Sequence, residues 1–440
     1  MYQVKIYIEP SGQRNSVLVD RDTGIPDHYS TLFVTNQLRA KDLAASSKSK
    51  YLQHISILFC WANLREIDLV ERIRSGEYFA HHEIDSLASM LRLEGNEMDG
   101  YISDARAKKG VIDIRTKKLR SFWDSIDSIS TQVSPHNYNT KIRMICTYML
   151  WLSSILSDEG QRKPSITRET VQKVGEKFDA LLSAKKVVEP SGYFKADKSL
   201  TNAQIKRIFD VVRTESPENP FDNEAVRVRN LAIIMTLIDG GLRSAELLNL
   251  RITDISRPTK KKVAGLKVIR RQGSIDDSRI KQPNPKTPQS EREVPLENPT
   301  LKAIDLYITE YRNKLDSSEN TPYLFLSHHN NPRYRGKPIA RINDITNAIR
   351  DVTGIYLTPH IFRHTATWRY CVNQKKMGRK WENFVETLIL KFGWKNADSP
   401  SVRLYAKKYL RDELFSKDLQ QQDQIGLGIN LASHSIGKQQ

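Results

Sequence analysis

Cysteine is scarce: three residues in 440, Cys60, Cys146 and Cys371, lie far apart in apolar or mixed surroundings. This excludes a disulfide framework and a paired CxxC metal site, and predicts reduced, mostly buried thiols. Long apolar runs are also missing. The longest, MICTYMLWL, is too short and interrupted to span a bilayer. The first residues, MYQVKIYIEP, hold no signal-peptide core, so a soluble, intracellular, cytoplasmic protein is expected. Neither a GxxxxGK(S/T) phosphate loop nor a GxSxG elbow occurs, which argues against ATP use and a serine nucleophile. Negative charge is in deficit: 51 Asp and Glu face 69 Lys and Arg, a net +18 with a pI near 9.6. Such an excess favours a polyanionic partner, nucleic acid before an acidic membrane surface; the plain alternative is a soluble basic protein.

What is present divides the chain. Tyr2, Val4, Ile6 and Ile8 alternate, PSGQRN supplies a turn and SVLVD returns, so a small β-hairpin is predicted over residues 1–28. From residue 29 to 182 the pattern is helical. Within SKSKYLQHISILFCWANL, Tyr51, Ile55, Leu58 and Phe59 keep helical spacing; within HNYNTKIRMICTYMLWLSSIL, Tyr138, Ile142, Ile145, Met149, Leu152 and Leu156 form one stripe. Lys141 and Arg143 fall off that stripe, where they are candidates to meet phosphates, although a charged helix face is more often simply solvated. Residues 183–199, SAKKVVEPSGYFKADKS, read as a basic linker. A new domain opens at SLTNAQIKRIFDVVRT, with Thr201 as N-cap and Gln204 three residues on. It mixes helices with two predicted strands, LKVIRR (266–271) and REVPL (292–296). The expected fold is mainly α with a small β component.

Four stretches of this second half carry chemistry. In DGGLRSAELLNL, Gly240 and Gly241 end one helix, and Arg243 stands at the start of the next, where free N–H groups favour an anion. Glu246, three residues on, is placed to hold that guanidinium, although such pairs are usually surface salt bridges. In NPKTPQSEREVPL, Lys286 stands on a loop leading into a strand, with Lys281 as a nearby competitor; lone loop lysines are nearly always solvated. In LTPHIFRHTATWRY, His360, Arg363 and His364 must share a helix face. No carboxylate within that stretch answers their charge, so it faces water or awaits an anion from outside the chain. In LKFGWKNADSPSVRLYAKKYL, Gly393 ends a helix, Trp394 follows, and Ser401 opens a helix that presents Tyr405.

Together, two arginines, a histidine, a lysine, an indole N–H and a tyrosine suit displacement at a phosphodiester without a metal. Guanidiniums bind the non-bridging oxygens and stay protonated; a phenol attacks phosphorus and stores the bond energy in a covalent link; a mobile lysine protonates the leaving oxygen. Metal chemistry fits less well. Ile361 stands where the Glu of an HExxH motif belongs, and His81, His82 and Glu83 have no second set of ligands. No metal and no cofactor are expected.

The ordered set GLRSAELLNL, KTPQSEREVPL, HIFRH, FGW and a tyrosine resembles the tyrosine recombinase, or phage integrase, family over about residues 200–415. The resemblance implies Tyr405 as nucleophile, with Tyr409 as the alternative one turn on. It implies Arg243 and Arg363 as the phosphate clamp, Lys286 as general acid and His360 in proton transfer. Glu246, His364 and Trp394 would support the pocket. It further implies a C-shaped clamp on duplex DNA, made of a helical core-binding domain (29–182) and a mostly helical catalytic domain (200–415) joined by the 183–199 linker. The expected partners are double-stranded DNA, three more copies of the chain in a homo-tetramer on paired sites, and an accessory DNA-bending protein. The tail, 416–440, is a candidate segment for docking on a neighbouring subunit. KKMGRKWENF (375–384) stands as an insertion between the box and FGW. The implied function is a site-specific recombinase or integrase of a mobile element, working through a 3′-phosphotyrosyl intermediate without metal or ATP on nucleoid DNA. A type IB topoisomerase, a telomere resolvase and a non-catalytic DNA-binding protein are the alternatives.

Overall fold

A computed structural model of the chain describes residues 2–41, 43–75, 79–95, 133–159, 172, 176–177, 179–180, 199–271, 273–283, 290–316 and 321–424. The predicted 183–199 linker, apart from Ser199, lies outside these residues, as do Lys286 and the end of the tail from 425. The chain divides into two compact units, Met1–Glu189 and Pro190–Gln440. The described residues are mainly helical, with two small antiparallel sheets.

In the first unit, β1 (Tyr2–Ile8) and β2 (Arg14–Asp20) pair antiparallel with Val4 opposite Leu18. Helix α1 (His28–Phe33), capped by Asp27, continues in wider turns through Leu38. It is followed by α2 (Ala45–Leu64), α3 (Leu69–Arg74), α4 (His81–Arg92) and α5 (Pro135–Glu159). The 3.6-residue periodicity of α5 converts directly into burial: Tyr138, Ile142, Ile145, Met149, Leu152 and Leu156 all enter the core, beside Ile55, Leu58 and Trp61 of α2. Each such side chain contributes roughly 1.5–3 kcal/mol of burial free energy. Cys371 is buried, and Cys60 and Cys146 are half-buried.

One surface expectation here is overturned. Lys141 is buried, and its Nζ donates to the carbonyls of Leu91 (3.0 Å) and Leu93 (2.9 Å) at the end of α4. Those carbonyls have no partner within their own helix, and an ammonium there also meets the negative end of the helix dipole. Lys141 therefore caps a helix and does not face phosphate, whereas Arg143 is exposed. Glu83 likewise serves a cap, accepting from the Ala80 N–H (2.8 Å) and facing Arg72 (3.5 Å).

Beside Lys141 sits His54, buried, with both ring nitrogens lacking a hydrogen-bond partner among the described residues. Burial, reinforced by the charges of Lys141 and Lys50, pushes its pKa down to about 4. Unfolded, the ring takes a proton near 6.5, so the unfolded chain binds more protons between those values. Stability should therefore fall as pH drops from 6.5 towards 4, by about 2 kcal/mol. His54→Leu should remove most of that loss, read as urea midpoints at pH 7 and 4.5. An acid sensitivity unchanged in the variant would assign it to other groups.

In the second unit, α6 (Asn202–Val212) starts at Thr201, whose hydroxyl accepts from the Gln204 N–H while Gln204 Oε1 accepts from the Thr201 N–H. Helix α7 (Glu224–Gly240) is buried on nearly every side, as a central helix must be, and packs against α9 and α11, defined below. Short α8 (Ser244–Leu248) follows. The sheet has the order β3 (Ile255–Ser256), β4 (Gly265–Val268), β5 (Arg292–Pro295). β3 was not expected, and β4 stops three residues before the predicted end at 271. There Arg271 turns its guanidinium to Asp254 (2.5 Å) and the Arg270 N–H goes to the Glu291 carboxylate (2.8 Å), which takes the chain off the ladder. Helices α9 (Asn298–Tyr307), α10 (Asn343–Thr353), α11 (Pro359–Lys376), α12 (Val385–Phe392) and α13 (Pro400–Gln424) complete the unit. α13 runs on through residue 415 and is held to α11 by Lys408, whose Nζ lies 3.6 Å from the Trp368 ring centre. Among the described residues, no helix is long and apolar enough to cross a membrane.

Candidate active site

The site begins with two glycines. Gly241 closes α7 in the left-handed conformation (φ 60°), and a Cβ there would come within 2.5 Å of the Phe392 ring. Gly393 closes α12 in the same conformation (φ 59°), and a Cβ would lie 2.8 Å from Arg292 Nη1. Only glycine allows both the backbone turn and the close approach.

The turn at the end of α12 exposes three successive carbonyls, and each accepts from a different arginine. Arg292 Nε donates to Lys391 O at 2.7 Å, Arg363 Nη2 to Phe392 O, and Arg243 Nη2 to Gly393 O at 3.3 Å. A helix C-terminus offers such orphan carbonyls together with the negative end of the dipole. Three chain segments, the start of α8, β5 and α11, are thereby tied to one point.

Glu246 lies at the centre, its side chain fully buried. Its carboxylate caps α8 by accepting from the Arg243 N–H (2.9 Å). It also accepts from Arg243 Nη1 (2.6 Å) and Arg292 Nη2 (2.9 Å), and Arg363 Nη1 stands 3.8 Å away. Burial alone would raise its pKa, but Arg292, Arg363 and Arg243 overcome that and hold it at about 2. Glu246 thus holds the Arg243 guanidinium as a buried hub, where pairs at this spacing usually lie at the surface. Arg363 is 3 % exposed and also donates to Gly241 O at 2.8 Å. Burial, then the repulsion of Arg243, lowers its pKa below the ordinary guanidinium value against the pull of Glu246, and it remains a cation at neutral pH.

The expectation for Arg363 is corrected here. Its charge neither faces water nor lacks a carboxylate of its own chain; Glu246, supplied from α8, answers it. Three guanidiniums nevertheless surround one carboxylate, which leaves two positive charges in excess among the described residues. Arg243, with a quarter of its side chain exposed, gives that excess an opening to solvent.

Around this cluster, α11 presents His360 and His364 with ring centres 4.4 Å apart, edge to face, and His360 is exposed. Trp394 stacks between Phe392 (5.5 Å) and Tyr405 (5.7 Å), and the Arg363 guanidinium lies 5.6 Å from its ring centre. Tyr405 is 4 % exposed, and its hydroxyl shares a 2.5 Å hydrogen bond with His364 Nδ1. Tyr409, equally buried, points elsewhere: its hydroxyl donates to Arg379 O at 2.8 Å and its ring packs on Trp381 and Phe384. The two tyrosines, one turn apart, are thus separated by their partners.

Arg243, Glu246, His360, Arg363, His364, Trp394 and Tyr405 are brought together. Lys286 lies outside the described residues, and Lys141 and Arg143 belong to the other unit. Sequence reading missed Arg292, whose side chain is 6 % exposed. A signal was available, since Arg292 precedes the fully buried Val294 by two on β5 and so shares its inward face.

Residues 198–376 match the family model described as the phage integrase family. Trp394 and Tyr405 lie beyond the matched segment and join the cluster through His364 and Arg363. The chain is 27 % identical over 191 residues to transposase A from transposon Tn554 of Staphylococcus aureus, in the strains Mu50 and N315 alike. The alignment covers 41 % of this chain and 45 % of those proteins, so the chain spans less than half the length of the curated relatives it matches. Among solved structures, the Tn1549 transposon integrase in complex with circular intermediate DNA aligns at 17 % identity and TM-score 0.40, over 73 % of this chain and 94 % of that one. A lambda integrase tetramer bound to a Holliday junction aligns at 13 % and 0.35, over 90 % and 96 %.

Proposed function

We propose that the chain is a site-specific recombinase or integrase of a mobile element, which cuts and rejoins DNA through a 3′-phosphotyrosyl intermediate. The observation that carries this is the charge balance beside Tyr405: two uncompensated guanidinium charges next to a tyrosine hydroxyl hydrogen-bonded to His364. A phosphodiester brings one negative charge, and its pentacoordinate transition state brings two. In this reading Arg243 and Arg363 hold the non-bridging oxygens, while Glu246 and Arg292 hold the arginines. Tyr405 Oη forms a bond to phosphorus as the bond to O5′ breaks. His364 Nδ1 takes the phenolic proton, His360 assists in proton transfer, and Lys286 protonates O5′. Attack by a 5′-hydroxyl reverses the step, so neither ATP nor metal is consumed.

Residues 29–182 serve as the core DNA-binding domain, and four copies assemble on paired duplex sites with an accessory bending protein. The reaction takes place in the cytoplasm, on nucleoid DNA. The test is incubation with two duplexes carrying the ends of the element, in EDTA without ATP. Exchanged strands and four-way junctions support the proposal. Relaxation of supercoiled DNA without exchange would shift it to a topoisomerase, and binding without cleavage would overturn it.

A further inference from the structure

Outside the catalytic cluster, one surface loop concentrates unpaired charge. Residues 321–343 contain no Asp or Glu, yet they carry Arg333, Arg335, Lys337 and Arg341, all exposed. Among the described residues, no carboxylate pairs with any of the four. Four exposed arginines elsewhere in the same unit have taken one: Arg207 with Glu218 (2.6 Å), Arg257 with Asp305 (2.5 Å), Arg350 with Asp351 (2.9 Å) and Arg403 with Asp398 (3.0 Å). Tyr334, half exposed, stands between Arg333 and Arg335, its ring set edge-on against His329 at 5.5 Å.

The loop is built to hold a shape. Ser327 and residues 336–337 close its base, with Gly336 N–H donating to Ser327 O (2.7 Å) and Ser327 N–H to Lys337 O (2.8 Å). Asn331 organises the tip: its carbonyl accepts from the N–H groups of Tyr334 (3.0 Å) and Arg335 (3.1 Å), and its side-chain oxygen from that of Arg333 (2.9 Å). Below the base, Arg279 Nη1 donates both to Ile339 O and to Leu248 O, each at 2.9 Å. Leu248 ends α8, the helix that begins after Arg243. The loop and the arginine helix are therefore parts of one hydrogen-bonded block, so whatever the loop binds is held at a fixed place relative to the cleavage site.

We propose that residues 329–341 form a second phosphate-binding site, which grips the backbone of duplex DNA away from the scissile phosphate through Arg333 and Arg335, supported by Lys337, Arg341 and Tyr334. This rests on the recombinase reading above. The occupant is duplex DNA because four exposed cations on one hydrogen-bonded loop, with no carboxylate paired to them among the described residues, suit the phosphates of a duplex backbone, and such contacts position a duplex without reading its sequence.

The experiment is a salt titration of binding to a duplex bearing an element end, comparing wild type, the double variant Arg333→Gln/Arg335→Gln and the control Arg350→Gln. Each lost phosphate contact lowers the slope of log K against log salt by about 0.9, so the double variant should lose about 1.8 and bind roughly tenfold more weakly. At saturating DNA its covalent adduct should form at the wild-type rate, and the control should keep the wild-type slope. An unchanged slope in the double variant, with wild type binding normally, overturns the loop assignment and leaves the recombinase reading intact. A wild type with no salt-dependent binding overturns both.

Discussion

Glu246→Gln should destabilise the second unit by about 3–5 kcal/mol, seen as a fall in Tm of the order of 10 °C. The substitution preserves shape and removes the only carboxylate that three guanidiniums share among the described residues. The acid limb of the wild-type stability curve should show the same group. Its carboxyl titrates near 4.5 when unfolded and at about 2 in the fold, so its contribution is full above 4.5 and disappears as pH falls towards 2. The variant should lack this limb. It should also be stabilised more than wild type by added duplex DNA, since a bound phosphate replaces part of the missing charge. A loss under 1 kcal/mol would show that Arg243, Arg292 and Arg363 do not depend on Glu246.

Arg363→Ala should lower the cleavage rate by a thousandfold or more while duplex affinity stays within about threefold. One phosphate contact among many contributes little to total binding, whereas a donor aimed at the developing charge acts mainly in the transition state. Arg363 also donates to Gly241 O and Phe392 O, so the alanine variant risks the fold. Arg363→Lys keeps the charge and loses the fork that reaches both carbonyls; it should fold and still cleave at least a hundredfold more slowly. Single-turnover cleavage beside equilibrium binding separates the outcomes. Equal losses in both would make Arg363 a docking residue, and wild-type cleavage in either variant would remove it from the chemistry.

Where the residues alone spoke, they spoke through periodicity and residue type. The α5 stripe was legible because six apolar side chains at helical spacing have one way to be buried together. The residue types at Arg243, His360, Arg363, Trp394 and Tyr405 pointed together to phosphodiester chemistry, and their order entered through the family resemblance. What stayed hidden depended on contacts between distant segments. Spacing marked Glu246 as a partner of Arg243, but not as a buried hub reached by Arg292 from β5 and Arg363 from α11. Periodicity put Lys141 off the apolar stripe, yet nothing in α5 announced that the end of α4 would be waiting for its ammonium. The two tyrosines of α13 share a face, and only their partners, His364 for one and the Arg379 carbonyl for the other, tell them apart.

The central claim is that Tyr405 attacks DNA. Wild type, Tyr405→Phe and Tyr409→Phe would each be mixed with nicked duplex from an element end, in EDTA, and run on a denaturing gel. The expected result is a protein–DNA adduct in wild type and Tyr409→Phe that vanishes in Tyr405→Phe alone. An adduct that survives Tyr405→Phe, or is lost only with Tyr409→Phe, would contradict the assignment.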